Sequence, residues 1–214
     1  MKLSELNKED IIIIPEFYEP DTFATIKQAV DSQEFSWFYN AQTSTTNSKR
    51  PEDQNEIKNW FVDEKTEDSQ QYIHGVCFEG KVFSKLYHVL APALEKLRLH
   101  HSADFEKICR IKLNSIPRDR GYPEGCYNVP HLDSVVSDID HWSLLVYIND
   151  SDGDTLFFNE LLVDKNGAPP DKLTIRERLS PKANMAAFFY SGRWHASSTP
   201  KETNRRVVVN HVLM

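Results

Sequence analysis

Hydrophobic positions change their spacing partway along the chain. In the first half, Ile11, Ile12, Ile13 and Ile14 form a β-branched run stopped by Pro15, which predicts a short buried strand after a polar, frayed start at residues 1–10. Phe23, Ile26 and Val30 then recur at helical spacing, and Asp21 stands where a capping residue belongs. Residues 35–40 are aromatic and extended. Residues 41–68 are polar and read as a surface loop or lid, interrupted by Trp60, Phe61 and Val62. A strand is predicted at 72–78. Phe83, Leu86, Leu90, Leu94 and Leu97 step by three or four, the mark of an amphipathic helix that Pro92 kinks or divides. Residues 108–115 alternate apolar with polar, as a half-buried strand does.

Beyond that point short strands dominate, at 143–149, 155–158, 186–189 and 206–213. Turn-rich segments at 149–153 and 166–170 punctuate them. Such spacing predicts an antiparallel sandwich or barrel. The expected class is therefore α+β, mainly β, with N-terminal helices packed on a β core. No internal repeat or linker divides the chain, so one domain over 1–214 is expected, with 1–104 as helical and loop support and 105–214 as the core.

Composition narrows the partners. With 25 Lys and Arg against 32 Asp and Glu, the net charge is −7, so nucleic acid is not an expected partner. The same charge favours a basic or neutral substrate over an anionic one, although net charge hides local patches. Cys77, Cys109 and Cys126 form no CxxC pair, so neither a disulfide framework nor a cysteine zinc site is expected. Together with the lack of a signal peptide or an apolar run long enough to span a bilayer, this predicts a cytoplasmic protein without membrane contact. Nothing in the sequence fixes the oligomeric state.

The candidate chemistry lies in Tyr127-Asn128-Val129-Pro130-His131-Leu132-Asp133-Ser134 and in Arg193-Trp194-His195-Ala196. In an extended segment, residues two apart point to one side, so His131 and Asp133 aim an imidazole and a carboxylate together. With His195 they would complete a 2-His-1-carboxylate set, which holds Fe(II) on one face and leaves the other open. His-X-Asp alone is a weak signal. Arg206 opens the apolar run Val207-Val208-Val209 and can offer a fork to a ligand carboxylate, whereas Arg205 points to the opposite face. His74, His88, His100, His101, His141 and His211 read as surface or core histidines, and Trp142 and Trp194 as packing or rim aromatics. A metal hydrolase or isomerase with the same ligands, or a β-sandwich binding module, stays open at this level.

These segments resemble the Fe(II)- and 2-oxoglutarate-dependent oxygenase superfamily on its prolyl-4-hydroxylase-like branch, and are similar to uncharacterised members from tailed phages and marine bacteria. The likeness runs through Arg110-Ile111-Lys112-Leu113-Asn114, His131-Leu132-Asp133, Leu145-Val146-Tyr147, Thr155-Leu156-Phe157, Trp194-His195 and Arg206-Val207-Val208-Val209-Asn210. It covers residues 105–214 well and the first half loosely. It implies a double-stranded β-helix, a cupin-like jelly roll. His131, Asp133 and His195 would be iron ligands, and Arg206 would bind the C5 carboxylate of 2-oxoglutarate. Tyr147, Thr155 and Asn114 would line the cosubstrate pocket. The implied reaction consumes O2 and 2-oxoglutarate, with ascorbate as a reductant, and hydroxylates a C–H bond of a prolyl residue, an amino acid or a small metabolite, releasing succinate and CO2. In this family a retained carboxylate at Asp133 goes with hydroxylation. The sequence leaves open whether the substrate is a small molecule or a peptide.

Overall fold

The computed structural model describes residues 6–43, 60–101, 105–133, 140–162 and 170–214. Most of the polar 41–68 stretch, at 44–59, lies outside these residues, as do 1–5 and much of the 166–170 turn. In chain order the elements are β1 (Ile11–Ile14), α1 (Pro20–Asp31), β2 (Phe38–Asn40), β3 (Gln71–Phe78), β4 (Lys81–Val82), α2 (Tyr87–Leu90), α3 (Ala93–His101) and β5 (Ile108–Pro117). They continue with β6 (Trp142–Tyr147), β7 (Thr155–Leu161), β8 (Ile175–Leu179), β9 (Ala186–Tyr190), β10 (Arg193–Ser197) and β11 (Arg205–Leu213).

The strands form two antiparallel sheets. The larger has the order β1-β9-β6-β11-β5-β3-β2, with β4 paired to β3, and the smaller has the order β10-β7-β8. Strand alternation distributes three apolar layers. Leu144 and Val146 of β6, Phe188 of β9, and Val207 and Val209 of β11 face the helices, where they pack with Ile26, Val30, Leu90 and Leu97. Leu145, Tyr147, Ala187, Phe189 and Val208 face the other way, meeting Phe157 of β7 between the sheets. Outside the smaller sheet, Leu156, Phe158, Trp194 and Ala196 pack under Tyr127 and Leu132. The predicted mainly-β jelly roll with helices against one face is what forms.

Four local expectations are corrected. β1 is an edge strand paired only with β9, and its isoleucines are half-buried; Ile12 and Ile14 serve the helix-side layer while Ile11 and Ile13 serve the inter-sheet layer. Having work on both faces explains a run without alternation. Asp21 does not cap α1. Pro20 starts that helix with its preset φ, which puts Asp21 in the first turn, where a carboxylate suits the helix dipole. Pro92 does divide its helix, into α2 and α3, but Phe83 precedes both and stays exposed. Finally, β8 (IRERL) and β10 lack a readable alternation yet build the smaller sheet.

Candidate functional site

His131 and His195 lie far apart in sequence but form an antiparallel bridge. The His131 amide donates to the His195 carbonyl at 2.9 Å, and the His195 amide returns to the His131 carbonyl at 3.2 Å. Paired residues point to one side of a sheet, so both imidazoles enter the same cleft, with ring centroids 4.5 Å apart. Trp60, from the end of the polar stretch, bridges His131 from its other side. His195 Nε2 lies 3.5 Å from Asp133 Oδ2, and one ligand atom from each of the three residues lies within 4.8 Å of the others.

The histidine tautomers follow from their partners. His131 Nδ1 is 3.1 Å from the Val129 carbonyl and His195 Nδ1 is 3.0 Å from the Arg193 carbonyl. A carbonyl only accepts, so both Nδ1 atoms carry hydrogen and both Nε2 lone pairs remain for a ligand. Burial keeps the rings neutral, lowering His131 to about 3 and His195 likewise downward; His195 adds to the fall of His131, while Asp133 opposes both. Burial would raise Asp133, but His195, Arg110, His131 and Lys112 outweigh it and hold the carboxyl well below the usual range. At neutral pH the set is therefore two neutral imidazoles and one carboxylate, which suits a divalent first-row ion such as Fe(II).

Asp133 is supported from the larger sheet. Arg110 of β5 donates to Oδ1 at 2.8 Å, Ser143 of β6 donates to Oδ2 at 2.7 Å, and Asn210 of β11 donates to both oxygens at 3.1 Å. Below the triad, Arg206 is buried in the same cleft, and its Nη2 donates to Thr155 Oγ1 at 2.7 Å. Tyr147 donates its hydroxyl to the same Thr155 oxygen at 2.8 Å, and the guanidinium sits 5.6 Å from the Tyr147 ring centroid. Among the described residues Arg206 Nε is buried with no partner, so the guanidinium has donor capacity to spare for an anion.

No protein-family model matches the sequence, and no curated protein matches it. Solved structures do. A 2OG-Fe(II) oxygenase family oxidoreductase from Burkholderia pseudomallei superimposes with a TM-score of 0.59 over 95% of this chain and 84% of its own, at 10% identity. The epimerase SnoN, in complex with Fe3+, alpha ketoglutarate and nogalamycin RO, gives 0.58 over 97% and 79%, at 10% identity. A Pseudomonas putida prolyl-4-hydroxylase gives 0.51 over 98% and 95%, at 14% identity. This is the 2-oxoglutarate–Fe(II) oxygenase fold.

Within the oxygenase fold, the cleft gathers His131, His195, Arg206, Thr155 and Asn114 among its lining residues, with Asp133 and Tyr147 bonded at its edge. Asn114 differs from the others: its amide bonds the Gln71 side chain rather than the Arg206 group. Arg205 turns away and pairs with Asp31 of α1. His211, on the opposite face of β11 from Arg206, is fully buried. Trp194 packs in the outer apolar layer, edge-on to Phe61. Sequence reasoning missed the roles of Arg110, Ser143 and Lys112. The signal for the β5 pair was its alternation, which puts Arg110 and Lys112 on the same side of the strand as Asn114, and that side turns to the cleft. Among the described residues, no helix is long and apolar enough to cross a membrane.

Proposed function

We propose that the protein is an Fe(II)- and 2-oxoglutarate-dependent oxygenase that hydroxylates a C–H bond of an amino acid, a prolyl residue or a small metabolite. The carrying observation is the pairing of a His131, Asp133 and His195 ligand set with a buried Arg206 in one cleft. A metal hydrolase or isomerase using the same ligands has no use for that guanidinium.

His131 and His195 would present Nε2, and Asp133 its Oδ2, to the ion. Held there, Fe(II) would supply the oxidising chemistry by which 2-oxoglutarate and O2 are converted to succinate and CO2 and a C–H bond to C–OH. Arg206 takes the far carboxylate of the cosubstrate, with the Tyr147 and Thr155 hydroxyls beside it; a charge-assisted pair in a buried setting is the strong form of that contact. Ile116, Leu145 and Val208 wall the cleft between the two ends and keep water from the reacting groups. Ser143, Asn210 and Arg110 fix the Asp133 carboxylate so that its orientation is set before an ion arrives.

The test is succinate release by purified protein given Fe(II), ascorbate and 2-oxoglutarate, first without substrate and then with candidate peptides and amino acids, followed by mass spectrometry for a +16 product. Succinate should form in the native protein and vanish in His195→Ala and Asp133→Ala. Protein that binds neither iron nor 2-oxoglutarate would sink the reading.

A further inference from the structure

Lys112 of β5 lines the cleft with His131, His195 and Arg206. Its register partner is Asn210, which bonds Asp133, so the lysine stands at the level of the triad. Arg206 is paired with Ile116, four residues along β5, roughly 13 Å away at the strand rise. Among the described residues Lys112 makes no hydrogen bond and closes no ion pair. The obvious partner is Asp133, but that carboxylate already accepts from Arg110, Ser143 and Asn210. On its other side Lys112 faces Gly75 of β3, where a Cβ would meet nothing within 4 Å. Among the described residues the counter-charge of Lys112 is thus Asp133 alone, which Arg110 already pairs, and the side away from Asp133 is open.

We propose that Lys112 binds a carboxylate of the substrate, which makes that substrate a small carboxylic acid, such as a free amino acid, rather than a residue inside a peptide chain. The inference rests on the oxygenase reading. A partly buried cation is costly without a paired anion, and Arg206 is committed to the far end of the cosubstrate. One ammonium is a point charge matched to a monoanion, and the neighbouring Arg110 fork is already taken by Asp133, which leaves one charge where a phosphate would want several donors. The acidic net charge suggested the opposite preference, yet Arg110, Lys112 and Arg206 converge on this cleft, and local field governs what enters it.

The experiment is calorimetric titration of Mn(II)-loaded protein saturated with 2-oxoglutarate. The ligands are the amino acids and their N-acetyl derivatives, each as free acid and as primary amide. The native protein should prefer the best-binding acid over its amide by about tenfold or more. Lys112→Met should erase that preference and Lys112→Arg should keep it, with 2-oxoglutarate binding as in the native protein in both, which also shows that both fold. No acid preference anywhere in the panel overturns the proposal. So does a loss of about tenfold in 2-oxoglutarate affinity in Lys112→Met, which assigns the lysine to the cosubstrate. Failure of native protein to take up 2-oxoglutarate, seen in the same titration, removes the oxygenase reading itself.

Discussion

Asp133 has a side chain 1% exposed, and an isolated carboxylate in that position would cost several kcal/mol. Three neighbouring strands of the larger sheet send it donors, one of them the Arg110 guanidinium, so the charge is supported before any ion binds. Arg206 is the complementary case, a buried cation whose Nε has no partner among the described residues, and it should behave as an anion receptor. Replacing it by Met removes one member of a buried charge pair, worth about 2–5 kcal/mol, so 2-oxoglutarate affinity should fall by roughly thirtyfold or more while metal affinity stays near native. Titration calorimetry with each ligand checks both halves. His211 offers a test independent of the site. Burial lowers its pKa to about 4, with the Leu144 and Leu90 carbonyls opposing the fall. The unfolded chain therefore takes up this proton first as pH drops below about 6.5, and the folded chain resists until about 4. Stability from a neutral His211 is complete above pH 6.5 and is lost between there and about 4, amounting to about 3 kcal/mol. Denaturant unfolding across that window should show a shallower pH slope in His211→Leu than in the native protein.

At the scale of elements, hydrophobic spacing located most strands and the broken helix because each carries its own period: β6 and β11 are apolar enough to be seen alone. β8 was invisible, since an edge strand reading IRERL has no apolar face. β10 was seen only as Trp194-His195, because its partner is β7 and its bridge to His131 depends on chain separated by dozens of residues. The candidate triad that the structure brings together was legible as residue types in order, and Arg206 as the strand-anchored member of a basic pair. The support for Asp133 was not, because Arg110, Ser143 and Asn210 sit on three strands whose adjacency only the sheet order reveals. The turn between β6 and β7 makes the same point. Asp152 accepts from the Lys201, Glu202 and Thr203 amides, which draws that turn against the segment leading into β11. Gly153 sits in the contact: a Cβ there would lie 2.9 Å from the Ser198 carbonyl and 3.0 Å from the Pro200 nitrogen. Backbone cannot yield as a side chain can, so Gly153→Ala should destabilise by about 1–3 kcal/mol, read as a lower denaturation midpoint at unchanged slope.

On the scale of the molecule, the triad is a joint between the two sheets. His195 belongs to β10 of the smaller sheet and carries His131 on its edge, while Asp133 is held by β5, β6 and β11 of the larger one. With the inter-sheet layer of Leu145, Tyr147, Phe157 and Phe189, and the bonds of Arg206 and Tyr147 to Thr155, this ties one sheet to the other. An ion shared by His195 and Asp133 would cross-link them, and any ligand that binds only the folded state stabilises it by mass action. At a hundred times its dissociation constant the gain is about 2.7 kcal/mol, which for a chain of this size raises Tm by roughly 5–11 °C. Thermal melts with Mn(II), which occupies such a site without turnover, should therefore shift upward by several degrees and return on chelation. Adding 2-oxoglutarate should raise Tm further only when the metal is present, because the two share one cleft. His195→Ala should melt the same with or without Mn(II). A native protein whose Tm ignores the metal would show that these three side chains meet for packing alone, and the cleft would then have to be read without an ion.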